Sequence, residues 1–494
     1  MASITLQDGN GKSITVDTRL FINNEFVPSV SGSTWVSENP SSGEALATVS
    51  AAQIEDVELA FQSAKKAFHG SWRTTEPATR GNLLRRLADL IERDTEEFIV
   101  LEGVDAGVLR GDSSFLHLPN SIATLRYFAG WSDKISGHSM KTTLGFAYTQ
   151  REPFGVCAAI TPWNAPLMIM TWKLAPAIAA GNTLIIKTPE AAPLVGQKLA
   201  ALVLEAGFPP GVVNIICGEG SVAGKALSEH HGIRKISFTG STAVGRQIMK
   251  ASASSNLKKV SLELGGKGPS IVFGDADLNN ALFWTTLGFT AHNGQICVAG
   301  SRIYVQDSIY EEFLAKFSEK LAGTAVHGSP LDEKTTKGPL INNAQYTRVL
   351  GHISKAKQEG LRLLFGGESL DSKGYFIANT AFADVPENAS LMREEVFGPV
   401  AAISKFHSEE EVIEKANALE YGLSAAVFTN DISRGYRVSS AIESGQVMIN
   451  SWGTLDVNVP FGGIKESGFG REFGEAALDD WTFTKAVKLN VLKN

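Results

Sequence analysis

From about residue 154 onward, short apolar runs alternate with amphipathic segments. The runs "GVCAAI", "TLIIKT", "VVNIIC" and "KISFTG" read as strands. Between and after them, residues 166–180, 191–207, 221–230 and 242–253 carry helical spacing, and "GFPPG" supplies a helix stop. Apolar runs of four to eight residues separated by helices are the pattern of βαβ units on a parallel sheet. A second alternating stretch covers about 270–461. It offers "SRIYV" as a strand, 308–322 as a helix, and "ISKFHSEEEVIEKANALEYGLSAAVFT" as strand, helix, strand. The closing "FTKAVKLNVL" alternates like a strand after the second unit has ended. Such a strand needs a neighbour, which another subunit can supply.

Size and charge narrow this picture without changing it. A chain of 494 residues exceeds one ordinary core and suggests about three lobes. Hydrophobic residues at 43% and charged residues at 20% fit a folded chain rather than a disordered one. The net charge of −7 and the lack of a basic block argue against nucleic acid as a partner. The start "MASITLQDGNGKSITVD" lacks a signal-peptide pattern. No uninterrupted apolar run reaches the ~18 residues of a membrane span, and "NVLKN" is no targeting address. A cytoplasmic protein without membrane partners is the expectation. Three cysteines, with no CxxC or Cys/His spacing, suggest a reducing compartment and no metal site.

Two strand-to-helix turns can hold an anion on backbone N–H groups: "CGEGSVAG" (217–224), a loose GxGxxA fingerprint, and "FTGSTAVGR" (238–246), which misses that spacing. With "IIKTPE" at another strand end, they point to a nucleotide. There Lys187 and Glu190 sit where Pro189 forces a turn, in the place where open parallel sheets bind ligands. A glutamate on ribose hydroxyls repels a 2′-phosphate, which favours NAD over NADP.

In "VSLELGGKGPS", Glu263 lies in a largely apolar strand end. Such a carboxylate is paired, exposed at a site or edge, or raised in pKa as a general base requires. Asn164 in "TPWNAPL" can donate to an oxyanion or cap the helix that follows. Cys157 and Cys217 fall in apolar runs and read as inert thiols. Cys297, in "HNGQICVAGSR", is flanked by small and polar residues where another molecule can approach. By itself it reads equally as nucleophile or small hydrophobe.

Taken together, "PWNAPL", "KTPE", "FTGSTAVG", "LELGGK", "GQICVAGSR", "EEVFGPV" and "PFGGIKESGFGRE" resemble the NAD(P)-dependent aldehyde dehydrogenase superfamily, in its cytosolic and mitochondrial branch. The order matches along almost the whole chain, with Glu263 and Cys297 34 residues apart. The resemblance implies an α/β fold: a Rossmann-type cofactor domain (1–132 and 154–265), a second α/β catalytic domain (266–465) and a small β oligomerisation element (133–153 and 480–494). It makes Cys297 the nucleophile, Glu263 the general base and Asn164 an oxyanion donor, with Lys173 close by. It places Thr161, Pro162, Trp163, Lys187, Glu190, Gly240, Ser241, Gly245, Glu395 and Phe397 around NAD. The phosphate turn is then 240–245, and the better-looking fingerprint at 218–223 lies towards the adenine. The implied reaction oxidises an aldehyde to the acid through a thiohemiacetal and a thioester. The implied assembly is a homodimer or homotetramer.

The substrate tunnel departs from the familiar branch. Ala165, Ala291 and Leu455 stand where aromatic residues often sit, while Trp172 and Phe461 remain. Each missing ring would bury ~150–250 Å², so a bulky, apolar or aromatic aldehyde is expected. Alternatively, Met168, Ile169 or Trp284 fills the space. His292 replaces a common asparagine, as either a tuning group for the thiol or a packed ring. "VDAGVLR" (104–110) replaces a "DNGK"-like stretch. The rival readings are a cysteine esterase or acyl transferase without net redox, and a non-catalytic scaffold. A CoA-acylating enzyme needs no water-activating base, so Glu263 argues against that form of the first, and the presence of both Glu263 and Cys297 argues against the second; NADH formation separates all of these.

Overall fold

The structure, a computed structural model, describes residues 2–7, 11–323, 325–370 and 373–490. Residues 1, 8–10, 324, 371–372 and 491–494 of the expected domain ranges lie outside the described residues. Two large sheets organise the chain. The first has eight strands in the order Gly468–Phe469, Lys259–Glu263, Lys235–Thr239, Val156–Ile160, Thr183–Thr188, Val213–Cys217, Leu20–Ile22 and Glu25–Val27. Its five central strands run parallel. Four of them, Val156–Ile160, Thr183–Thr188, Val213–Cys217 and Lys235–Thr239, are buried along almost their whole length. Helices cover both faces of such a sheet, so its strands read as continuous apolar runs.

The order of these strands positions the site. The chain adds Thr183–Thr188 and Val213–Cys217 on one side of Val156–Ile160, then returns to add Lys235–Thr239 and Lys259–Glu263 on the other. That reversal opens a crevice beyond the carboxyl end of Val156–Ile160, the place where such sheets take ligands. Thr161 to Asn164 occupy it. The helix that follows, Pro166–Ala179, starts with proline at its first turn, where a missing N–H costs nothing. All of its residues are buried.

The second sheet has seven strands in the order Arg362–Phe365, Thr380–Ala383, Val400–Phe406, Arg302–Gln306, Pro269–Val272, Ser424–Phe428 and Gln446–Ile449. All but the first pairing are parallel. The predicted strands fall where the apolar runs lie, but three helices differ at their starts. The 191–207 segment becomes Leu194–Ala206, preceded by Pro193 at the cap. The 221–230 segment splits into a π-helical turn, Gly220–Gly224, and a short helix, Lys225–Glu229. The 308–322 segment begins with a 3₁₀ turn before Tyr310–Ala322. Periodicity sees the buried face of a helix but not the tightening of its first turn.

The late strand Thr482–Asn490 finds its neighbour inside the chain. It pairs antiparallel with Gly145–Pro153, which pairs in turn with Ser139–Thr142. One further return crosses the lobes: Gly468 and Phe469 pair with Glu263 and Leu262. This closes the edge of the first sheet beside the glutamate singled out by sequence.

Candidate active site

Cys297 follows the helix Leu278–Thr290, which Asp277 caps by accepting from the Asn280 N–H at 3.1 Å. The chain then passes through three left-handed residues in succession, His292 (φ 44°), Asn293 (φ 55°) and Gly294 (φ 69°). For residues other than glycine this conformation costs about 1–3 kcal/mol each. Glycine is required at 294, since a Cβ there would lie 2.1 Å from the Gly398 carbonyl oxygen. Side-chain bonds offset the strain. Asn293 Nδ2 donates to the Pro339 carbonyl at 3.1 Å, and Gln295 Oε1 accepts from the Ile341 N–H at 3.0 Å. The turn leaves Cys297 half-buried, whereas Cys157 and Cys217 are fully buried. Burial and the carboxyls of Glu395 and Glu263 push the Cys297 thiol up to about 12.

Asn164 lies against this loop. Its Nδ2 donates to the Gln295 carbonyl at 2.8 Å, and Ala165 rather than Asn164 takes the helix cap position. The cap reading therefore fails, and the amide belongs to the cysteine loop. Glu263, at the end of its strand, is 6% exposed, which removes the edge-facing reading. Its Oε2 is buried without a hydrogen-bond partner. Burial first, then the neighbouring Glu472 carboxyl, raise its pKa well above the ordinary carboxylate range. A Cβ at Gly462 would sit 2.8 Å from Glu263 Oε1, so that glycine leaves the carboxyl room. Lys173 is fully buried and donates to Glu472 Oε1 at 2.7 Å and Ser237 Oγ at 3.1 Å.

The cofactor candidates gather along the crevice. Thr161 binds the Lys187 carbonyl through its N–H and hydroxyl. Lys187 Nζ donates to Glu190 Oε2 at 2.7 Å, while Glu190 Oε1 accepts from the Gly220 N–H at 3.2 Å. Burial opposes ionisation of Glu190, but Lys187 outweighs it and holds the carboxyl below its usual range. The looser fingerprint is thus tied to the "KTPE" strand end. Ser241 caps the helix Thr242–Ser254, and the Gly240 N–H bonds the Glu263 carbonyl. A Cβ at Gly245 would lie 2.8 Å from Leu264, which keeps the helix close to the sheet. Across the crevice, Glu395 Oε1 accepts from the Gly266 N–H at 3.0 Å, and Phe397 meets Trp163 edge-on at 5.5 Å. Pro162 lies between Thr161 and Trp163. A carboxylate beside a lysine at one strand end, a capped helix N-terminus at another and a half-buried glutamate opposite suit a dinucleotide.

Ala165, Met168, Trp172 and Phe461 belong to one apolar cluster, with Ala291, Leu455 and Cys297 packed against it. Trp172 contacts Phe461 at 5.1 Å and Phe473 at 4.5 Å, and its indole N–H donates to Asn120 Oδ1 at 2.7 Å. Ile169 and Trp284 join the same cluster. Sequence reasoning gave no role to Glu472 or Phe473. Glu472 ends the quoted "PFGGIKESGFGRE" stretch and Phe473 follows it, and a charged residue beside an aromatic was the available signal. The His292 ring is packed, 2% exposed, and burial with the nearby His117 lowers its pKa to about 3. In the departing 104–110 stretch, Ala106 and Val108 are buried with Ala192 and Ile341, and Trp163 packs against them.

A family model described as the aldehyde dehydrogenase family matches residues 26–487. An aldehyde dehydrogenase of Alternaria alternata is 46% identical over 99% of both chains. The sheep (Ovis aries) aldehyde dehydrogenase 1A1 is 46% identical over 96% of this chain and 95% of its own. Among solved structures, the NAD⁺ complex of a Bacillus cereus aldehyde dehydrogenase superposes with a TM-score of 0.94 at 41% identity, covering 96% of this chain and 97% of that one. The indole-3-acetaldehyde dehydrogenase of P. syringae, with NAD⁺ and IAA bound, gives 0.95 at 37%, covering 97% of each.

Proposed function

The chain belongs to the aldehyde dehydrogenase family, and on that premise we propose how its residues carry NAD-dependent oxidation of an aldehyde to the acid. The observation that carries the reading is the meeting of three groups: a half-buried Cys297, the Asn164 amide on its loop, and a Glu263 oxygen with no other partner. The Cys297 thiol gives its proton to solvent, and the sulfur bonds the aldehyde carbon. The oxygen that becomes negative is held by Asn164 Nδ2 and the Cys297 N–H; one such donor is worth ~2.7–4 kcal/mol of barrier. Bound NAD would supply the acceptor for the hydride that this carbon gives up. Glu263 then accepts a proton from the water that attacks the thioester, and the thiolate leaves as the acid forms. Lys173, already paired with Glu472, keeps a positive charge near Glu263.

Lys187 and Glu190 hold the adenosine ribose, Gly240, Ser241 and Gly245 the pyrophosphate, and Glu395 with Phe397 the nicotinamide ribose. Trp163 and Pro162 line the cleft. The substrate is a bulky, apolar or aromatic aldehyde, since small or aliphatic residues stand at 165, 291 and 455 beside Cys297. The P. syringae neighbour, named for an indole aldehyde, supports this class. Met168, Ile169, Trp284 and Phe473 occupy the same cluster and set its limit. The domain division follows the two sheets, and the exposed Phe146, Phe483 and Leu489 of the third suit a homodimer or homotetramer. No helix among the described residues is long and apolar enough to cross a membrane; a cytoplasmic location completes the proposal.

NADH formation across a panel from acetaldehyde to aryl aldehydes tests both parts. Cys297→Ser is expected to abolish turnover, and kcat/KM is expected to be higher for aryl aldehydes. Undiminished turnover by the serine variant contradicts the mechanism, and a preference for acetaldehyde contradicts the wide tunnel.

A further inference from the structure

The left-handed turn ahead of Cys297 is gripped by charged groups from both lobes, and none of them belongs to the chemistry described above. From the second lobe comes Lys337. It is 2% exposed, and its Nζ donates to Asn379 Oδ1 at 2.7 Å and towards Asn293 Oδ1 at 3.4 Å. No carboxylate pairs with it among the described residues, and burial alone lowers its pKa to about 7. A lysine placed among amide oxygens without a counter-charge is costly, so its location calls for a role. The next residues continue the grip. Pro339 accepts from Asn293, Ile341 donates to Gln295, and a Cβ at Gly338 would lie 2.9 Å from the Gly107 carbonyl and 3.4 Å from Asn293 Nδ2.

From the first lobe comes a buried polar cluster on the π-helical turn Ser113–His117 and its approach. Glu102 Oε2 accepts from Ser113 Oγ at 2.5 Å and binds His117 Nδ1 at 3.0 Å. The His117 ring lies 6.3 Å from the His292 ring, edge to face, and the His292 N–H faces the Asp112 carboxyl. Both ring nitrogens of His292 are buried without partners. The turn residues therefore meet Asp112 and His117 on one side and Lys337 on the other, while Gln295 links the turn to Asn164.

We infer that Lys337 and Asp112 are positioning residues for the nucleophile: they hold the His292–Asn293–Gly294 turn in its left-handed form and so aim Cys297 at the substrate. The inference rests on Cys297 being the nucleophile. Lys337 fixes the side chain of Asn293 and Asp112 fixes the backbone of His292, so each acts through the turn and touches no reacting atom. Loss of either lets the turn relax towards ordinary backbone, which shifts the sulfur relative to Asn164.

Lys337→Met keeps the aliphatic stem and removes the donor; Lys337→Gln keeps a donor. Asp112→Leu removes the acceptor, and Asp112→Asn keeps one. For the full-length protein, two rates are measured per active site, titrated by the NADH burst: kcat, and alkylation of Cys297 by iodoacetamide. Lys337→Met and Asp112→Leu are expected to lower kcat by roughly 10–100-fold, the scale of a 1 Å misplacement. Alkylation is expected to change with kcat, and KM for NAD to stay within about twofold, because the cofactor contacts are elsewhere. Lys337→Gln and Asp112→Asn are expected to recover most of the loss. Unchanged kcat and alkylation per titrated site in both Lys337→Met and Asp112→Leu overturns the inference. So does an equal loss in the conservative pair. If Asp112→Leu fails to fold, the Lys337 pair decides alone. If the parent chain forms no NADH, sites are counted by NAD binding, and the alkylation rates still decide whether the turn is held in this way.

Discussion

Glu263 and Glu472 are two buried carboxyls, each under a tenth exposed and each under the influence of Lys173. Their situations differ in one respect. Glu472 bonds Lys173 through Oε1 at 2.7 Å and leaves only Oε2 without a partner, while among the described residues no hydrogen bond reaches the Glu263 carboxyl, which lies beside the glycine-lined approach at Gly462. Burial raises both, and it raises Glu263 well above the usual range because no N–H answers its charge. A paired carboxyl holds the structure together; an unpaired one keeps a free oxygen for a proton from outside. Two identical side chains are thereby given opposite work by one hydrogen bond.

Exchanging that bond is the strongest way to break the comparison. Glu263→Gln removes the base and keeps the shape. Steady-state kcat is expected to fall by ~10²–10⁴, while a first burst of NADH remains. The sign for stability is the reverse. A carboxyl whose folded pKa is raised binds its proton more tightly when folded, so its contribution is present at low pH and lost as pH rises above the ordinary carboxyl range. Glu263→Gln, which cannot ionise, is therefore expected to raise Tm above neutral pH, measured by thermal melts at pH 5 and 8. Glu472→Leu tests the other arm. It leaves Lys173 buried and unpaired, which costs about 3–5 kcal/mol. Denaturant unfolding is expected to show that loss, with a smaller effect on the rate per folded molecule.

A finer test concerns the thiol. With Cys297 pushed up to about 12, thiolate is scarce at neutral pH, and alkylation in the absence of NAD is expected to climb steadily from pH 7 to 9. Glu395→Gln removes one of the carboxyls that disfavour the thiolate. A rise of a few fold in alkylation at each pH is expected; a fall contradicts the assignment of Glu395 as a thiol neighbour.

The central strands of the first sheet, with Arg302–Gln306, Val400–Phe406 and Ser424–Phe428 of the second, were legible because buried parallel strands read as apolar runs, and the turns "KTPE" and "FTGS" because strand ends there must reverse; short strands such as Leu20–Ile22 and Arg362–Phe365 were not read. Asn164 was ambiguous, since capping and oxyanion binding use the same amide. Only its distance to Gln295 separates them. The Lys173–Glu472 pair joins residues 299 apart in sequence, and no local pattern announces such a contact. For the same reason Lys337 could not be seen beside Asn293, and only the family resemblance, not local spacing, grouped the late strand with Gly145–Pro153. Local spacing encodes elements and turns, but the groups that hold the nucleophile loop come together only when the lobes close on each other.

The most direct measurement of the central claim is the intact mass of the Glu263→Gln protein after mixing with NAD and an aryl aldehyde. The predicted result is a gain equal to the acyl group of that aldehyde, one per chain, mapped by peptide digestion to Cys297. Absence of the adduct despite an NADH burst, or its location at Cys157 or Cys217, contradicts the assignment of Cys297 as nucleophile and Glu263 as the base that clears it.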